Sequence, residues 1–363
     1  MNKIFLLLLF SFISFLIIFS LFPPTIYVNN LDKNKKIIDM VNKEVNIKNQ
    51  ENTIMMFTPI LWHYLSIEQN DNSILFIPKY IKDEVKNSML SKIYPSILDK
   101  KLALTSVGAV PLGVEQILYE KPEIIFTFAW FSKELESIKY PGVVELVNDN
   151  EIKKEKFFRI IGDLTNKEER VDYILKKYDL KMLDIYKKYS ENKKTSIIVI
   201  GDNNYFIWNK NFIAFNKLIQ SVGIFNTAQN MKNYNSTINI EEIIEMNPDV
   251  IFITSSYKNQ LNVLDIYNNP ALQTIDAVRK KKVYSMPSGM SRMEGPIEAP
   301  LLLEWMTRLL YPKIKWDKSY SQSVKETYEE MYNYEMKEED INQFLNIDKN
   351  SYSKDYLKIF KGE

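Results

Sequence analysis

The side chains in this chain able to do chemistry are few and of particular kinds. There is no cysteine and a single histidine, His63, so neither a thiolate site nor the usual multi-histidine zinc site can be assembled. GxGxxG, GxSxG, GKS and HExxH are all absent, and with them the phosphate loops, nucleophile elbows and metalloprotease helices that would announce an enzyme. What remains is a set of aromatic and cationic residues: Trp62, His63, Tyr64, Trp130, Tyr205, Trp208, Tyr257 and Arg292. Rings of this kind make broad, rigid apolar walls, and a planar guanidinium in the glycine-flanked stretch SGMSRMEG can take an anionic oxygen in a bidentate pair. That is binding chemistry, and the chain is expected to make and break no bond. The tyrosines can hydrogen-bond an anionic ligand or coordinate ferric iron as phenolates, and the sequence leaves both open. Trp62 and Trp130 fit a lobe core as well as a cleft wall. His63 fits a structural role, and Arg292 a surface pair with Glu294 or Glu298. Met286, Met290 and Met293 fit flexible packing or haem ligation. The metal, if there is one, is unknown.

Each of these residues stands just after or near the end of a predicted strand, where open α/β sheets bind ligands. The strands are expected near Thr53–Phe57, Leu102–Ser106 and Ile124–Phe128, then near Ser196–Ile200, Val250–Thr254 and Lys282–Met286. An internal repeat carries the assignment: VEQILYEKPEIIFTF at 114–128 matches IEEIIEMNPDVIFIT at 240–254 position for position. Each copy reads as a helix stopped by proline, then an unbroken apolar run, the pattern of a parallel strand covered on both faces. Two copies imply two α/β lobes. Between them, from about Asn166 to Glu191, runs a stretch without glycine or proline and with apolar residues at helical spacing, predicted to be one long connecting helix.

The expected organisation is a signal peptide or membrane anchor over 1–24, an α/β lobe over 50–163, the linking helix over 164–192, a second lobe over 193–335 and a loosely held tail over 336–363. The first segment rests on Lys3 followed by an apolar run from Ile4 to Phe22, which reads as an export signal. With 47 basic against 46 acidic residues, the chain lacks the net positive charge that would draw nucleic acid or an anionic membrane surface.

Several ordered segments, within roughly residues 50–335, resemble the bacterial periplasmic binding proteins that serve importers of ferric siderophores, haem, cobalamin and related metal complexes. They are Glu115 to Phe126 and its copy Glu241 to Phe252; Gly162, Leu164, Glu169 and Arg170 at the opening of the linking helix; Asn268 to Gly289; and Trp305 with Pro312. The resemblance implies two Rossmann-like lobes with parallel sheets on a single long rigid helix, and a monomer without an intrinsic cofactor. It further implies that a metal chelate, most readily a ferric complex, is carried in the interlobe cleft. The partner is an ABC permease dimer in the inner membrane with its cytoplasmic ATPase, docked through acidic residues for which Glu134, Glu136 and Asp265 are the candidates. The absence of a lipid-anchoring cysteine points within the family to a Gram-negative periplasm. Two readings stand beside this one: an oxyanion carrier for molybdate or tungstate, and a membrane-tethered sensor or structural protein on the same fold.

Overall fold

The computed structural model describes residues 35–47, 52–55, 58–86, 88–103, 114–128, 139–140, 142–146, 151–189, 194–201, 205–231, 237–254, 261–290, 293 and 297–362. Eleven strands are named along this part of the chain. β1 (Lys35–Ile38) and β2 (Glu44–Ile47) form an antiparallel hairpin that the sequence did not announce. β3 (Thr53–Met55), β4 (Ile74–Pro78), β5 (Lys101–Ala103), β6 (Ile124–Phe128) and β7 (Val143–Leu146) form a parallel sheet in the order β5-β4-β3-β6-β7. β8 (Thr195–Ile200), β9 (Ile224–Asn226), β10 (Val250–Ile253) and β11 (Val283–Ser285) form a second parallel sheet in the order β11-β10-β8-β9. The six expected strands correspond to β3, β5, β6, β8, β10 and β11, within a few residues. Missing from the expectation are β4, β7 and β9.

The helices used below are α1 (Thr58–Glu68), α2 (Lys79–Val85), α3 (Met89–Ile93), α4 (Val114–Glu120), α5 (Glu151–Thr165), α6 (Glu168–Lys188), α7 (Ile213–Gln220), α8 (Ile240–Met246) and α9 (Val263–Asn268). They are followed by α10 (Asp276–Arg279), α11 (Ala299–Leu310), α12 (Tyr320–Tyr332), α13 (Glu338–Phe344), α14 (Ile347–Asn350) and α15 (Tyr356–Lys361).

The repeat is built twice in the same place. α4 leads into β6, and α8 into β10, and each of these strands lies directly against the first strand of its sheet, β3 or β8. At equivalent positions Lys121 (φ 48) and Asn247 (φ 35) take the left-handed conformation that ends the helix just before proline, a turn that closes the last helical carbonyls. Within β10 all four residues are buried, as expected of a strand with helices on both faces.

The long connecting helix is α6, separated from α5 by a break at Asn166, whose φ is 52. Its buried residues Val171, Ile174, Met182 and Ile185 fall on one stripe, while Leu180 and Leu183 face solvent. Arg170, on its first turn, ties the lobes together. Its guanidinium donates to Ser66 O (3.2 Å from Nη2), near the C-terminus of α1, and to Glu330 O and Met331 O (2.9 Å each), near the C-terminus of α12. Two helix ends whose last carbonyls carry partial negative charge thus converge on one cation.

The C-terminal segment is a correction. Residues 336–363 were expected to form a loosely held tail, whereas the described part of it, through Gly362, completes the core of the second lobe. Phe344, Tyr356 and Phe360 are buried, and Asn350 Nδ2 and Oδ1 bond both Ser285 O (2.9 Å) and Ser285 N (2.7 Å) at the edge strand β11. Trp305 Nε1 donates to Tyr356 Oη at 3.1 Å. The three short helices of this segment interrupt any long apolar period, so pattern alone reads it as polar.

Replacing Arg170 by alanine leaves three carbonyls without their shared donor. The expected outcome is a loss of roughly 2–4 kcal/mol in urea-unfolding free energy, with Arg170→Lys recovering only part of it because an ammonium lacks the guanidinium's flat fork.

Candidate functional site

In each sheet the strand order reverses beside its first strand: between β3 and β6 in the first lobe, and between β8 and β10 in the second. Loops leaving the carboxyl ends of the two strands at such a point run apart, which opens a crevice there. The site is therefore expected at the ends of β3, β6, β8 and β10, joined by the end of β11 beside β10. The second-lobe loop after β11 reaches the other lobe: Met89 N, at the start of α3, donates to Gly289 O at 3.1 Å. Further bonds close the same seam. Lys92 Nζ lies 2.6 Å from Asp340 Oδ1, and Gln69 Nε2 donates to Met331 O at 3.3 Å.

Of the sequence-predicted residues, Trp130, Tyr257 and Arg292 follow β6, β10 and β11 and lie outside the described residues, as do Glu134 and Glu136. Tyr205 stands shortly after β8, packed against the core of the second lobe. It has φ 52, is partly buried, and its hydroxyl accepts from Asn269 Nδ2 at 3.2 Å.

Four residues are corrected. Trp62, His63 and Tyr64 are not in a loop but in the second turn of α1, which starts three residues beyond Met55 at the end of β3, and they face the lobe core. His63 is 4% exposed and packs edge-on against Phe157 and Phe158 at ring separations of 5.1 and 5.0 Å. Tyr64 shares a hydrogen bond with Ser73, and burial pushes its phenol well above the ordinary range, which opposes a phenolate role. Trp62 is buried as well, and its indole N–H has no acceptor. Trp208 is fully buried because the chain doubles back after β8. Gly201 and Phe206 are bonded, Ile200 pairs with Ile207, and Trp208 N donates to Val199 O at 3.1 Å. The return carries the indole alongside β8 into the core, where it stacks on Phe212 at 4.9 Å and meets Phe215 edge-on at 4.8 Å. Met286, Met290 and Met293 are likewise core residues, the packing role of the two they were given. Asp265 is exposed, and its carboxylate accepts Asn262 N at 2.7 Å, capping its own helix α9.

Sequence reasoning missed the support beneath the β11 loop. Glu298 is 2% exposed, and its Oε1 accepts Met290 N at 2.9 Å and the hydroxyl of Tyr328. From the other side Phe344 O accepts Ser288 N at 2.8 Å, and Asn346 Nδ2 donates to Met286 O at 2.7 Å. Glycine is required at 289 for space: a Cβ there would stand 2.0 Å from Glu298 Oε1. Only its place immediately before α11 could have drawn attention to Glu298, and that place reads equally well as an ordinary helix start. Burial raises its carboxyl to about 7, with the Tyr328 and Met290 hydrogen bonds opposing.

Among the described residues no group of three or more histidine, cysteine or acidic side chains is placed to hold a metal, and no helix is long and apolar enough to cross a membrane.

Two parallel-sheet α/β lobes joined through one long helix, each sheet carrying its own switch point, make a two-lobed α/β architecture. Residues 99–289, more than half of the chain, match the family described as periplasmic binding protein, and the chain belongs to that family. It is 25% identical over 182 residues to the iron-uptake system-binding protein of Bacillus subtilis, and 26% identical over 117 residues to the molybdate-binding protein MolA of Haemophilus influenzae. Those alignments cover 47% and 32% of this chain but only 57% and 33% of the two relatives. Among solved structures, a periplasmic solute-binding protein from Veillonella parvula superposes with a TM-score of 0.77 at 21% identity, covering 88% of this chain and 98% of that one. Molybdate-bound MolA gives 0.70 at 18% identity (84% and 99%), and Helicobacter pylori CeuE with Ni(II) bound gives 0.67 at 20% (86% and 99%). These likenesses establish the fold.

The raised pKa of Glu298 has a testable sign. Its folded value of about 7 exceeds the ordinary 4.5, so folding favours the protonated form. Its contribution is full below pH 4.5, declines as pH rises to about 7, and is level above. A shift of this size amounts to roughly 3 kcal/mol. Urea unfolding at pH 5 and pH 8 should show Glu298→Gln losing this part of the pH dependence, the difference from wild type growing with pH.

Proposed function

We propose that this chain is the extracytoplasmic solute-binding component of an ABC importer, capturing a metal complex between its lobes and presenting it to a permease dimer powered by a cytoplasmic ATPase. The observation that carries the reading is a switch point in each of two parallel sheets joined by one long helix, in a chain of the periplasmic binding protein family. Ligand contact falls to Arg292, Trp130, Tyr205 and Tyr257, each following a strand that ends at the crevice. The buried Trp62, His63, Tyr64 and Trp208 shape the lobes instead. Arg292 supplies a bidentate cation for a carboxylate or anionic chelate oxygen, and the β11 loop that leads to it is braced by Glu298, Phe344 and Asn346. The family places the protein outside the cytoplasm, and residues 1–24 are read as the export segment. Glu134, Glu136 and Asp265 are the proposed permease contacts, and the protein acts as a monomer with no cofactor of its own.

A second reading, an oxyanion carrier, is favoured by the likeness to MolA and by the loss of four aromatic residues from the cleft wall. A small anion needs few rings and several N–H donors, whereas a chelate needs a wide apolar wall.

Intrinsic fluorescence titration with ferric siderophores, haemin, cobalamin, molybdate and tungstate separates the readings. Saturable binding of a chelate, weakened about tenfold or more by Arg292→Ala, a change of about 1.4 kcal/mol, and unaltered by His63→Ala, is the expected result. Binding of molybdate or tungstate alone would favour the second reading, and no binding to any of them would overturn both.

A further inference from the structure

Glu298 joins two parts of the second lobe that each reach across to the first. Its Oε1 accepts Met290 N at 2.9 Å and the hydroxyl of Tyr328, so one buried oxygen links the β11 loop to α12. Next to Met290, the Gly289 carbonyl accepts Met89 N of the first lobe at 3.1 Å. Three residues beyond Tyr328, the Met331 carbonyl accepts Arg170 Nη2 at 2.9 Å and Gln69 Nε2 at 3.3 Å. The carboxyl and the loop are in close contact, since a Cβ on Gly289 would stand 2.0 Å from Oε1.

The surroundings supply hydrogen bonds but no counter-charge. From α12 three tyrosines act on or respond to this carboxyl, Tyr320, Tyr328 and Tyr332. The β11 loop brings Met290 and the Met293 sulfur. Along α11 the next ionisable group is Glu304, which already holds Arg308 at 2.8 Å. On the first-lobe side Tyr94 and Arg170 act on Tyr332, which sets this tyrosine cluster at the seam. Arg170 is committed to three carbonyls, and Lys92 to Asp340 at 2.6 Å. Among the described residues no cation acts on Glu298: burial raises its carboxyl to about 7, and only the Tyr328 and Met290 hydrogen bonds oppose. Two donors on one oxygen, without a cation, suit a neutral carboxylic acid whose carbonyl oxygen accepts both.

We infer that Glu298 is a positioning residue for the interlobe contact: it holds a proton while the Gly289 loop and α12 meet the first lobe, and releases it when that contact opens to water, so that closure of the seam takes up a proton. The inference concerns the seam alone and stands whichever cargo the crevice carries. Its sign follows from the two environments. Opened to water, the carboxyl returns toward its ordinary 4.5 from about 7. The closed form is therefore favoured most below about pH 4.5, loses that advantage as pH rises to about 7, and is level above.

Hydrogen–deuterium exchange at the Met89 amide, in the ligand-free full chain, tests this through protection factors corrected for the intrinsic pH dependence of exchange. This amide is shielded by its bond to Gly289, so its protection reads seam opening even when the open form is scarce. Ile251 N, bonded to Lys282 O at 3.1 Å inside the second sheet, is the reference for unfolding of the lobe. Met89 is expected to exchange faster than Ile251 at every pH, and its protection to fall about tenfold or more between pH 5 and pH 8. Glu298→Gln should flatten that fall, and Tyr328→Phe, which removes one of the two opposing bonds, should move it to higher pH. The unaltered protein supplies the pH slope without any variant having to fold. A Met89 protection that ignores pH, an equal slope in Glu298→Gln, or Met89 and Ile251 exchanging together would overturn the inference and leave Glu298 a structural support of the loop.

Discussion

The Arg170 guanidinium holds together parts of the molecule that the two sheets cannot reach. Each sheet is satisfied within its own lobe, so nothing in the strand ladders fixes one lobe against the other. Part of that task falls to one side chain at the start of α6, which supplies donors to the C-terminal carbonyls of α1 on one side and α12 on the other. Burial disfavours the charged guanidinium, and the nearby Glu330 carboxylate opposes that effect. Because Arg has donors in a flat fork and remains charged when buried, it can serve three carbonyls from two helices at once. The bonds from Met89 to Gly289 and from Lys92 to Asp340 lie along the same seam and share its dependence on that geometry.

Such an arrangement bears on how far the lobes can part. α6 buries a stripe of four apolar residues and is continuous over 21 residues, so it bends little. Among the described residues the polar contacts named along the seam, from Met89 to Gly289, Gln69 to Met331 and Lys92 to Asp340, are each of modest strength. Opening the crevice costs those bonds while leaving α6 intact, and closing it restores them. The asymmetry suits a protein that binds by small adjustments of two firm lobes.

The internal repeat was legible in the sequence because helix, proline and unbroken apolar strand are a strong local pattern, and it identified the two strands that flank the switch points. Long, regular α6 was legible for the same reason. The ring-bearing residues were harder to place. α1 is buried on nearly every side along Leu61–Ile67, so it shows no polar face by which a helix is recognised, and Trp62, His63 and Tyr64 resembled a loop after a strand. Trp208 was misplaced by a backbone event, the antiparallel return after β8, which leaves no trace in residue type. β9 is three residues long and β7 four, too short for alternation to declare them. Glu298 and Arg170 were invisible as partners because their importance lies in contacts with residues 30 and more than 100 positions away.

The position of the last helices has a bearing on biogenesis. β11 draws hydrogen bonds from Asn350, and the aromatic cluster around Trp305 closes only when Tyr356 and Phe360 arrive. The second lobe therefore cannot acquire its finished core until Phe360 has been made. α12 and α13 also cover the first lobe at Gln69 and Lys92. β11 is thus completed by a residue made 65 positions after it, so the edge of the second sheet stays uncovered during that part of synthesis.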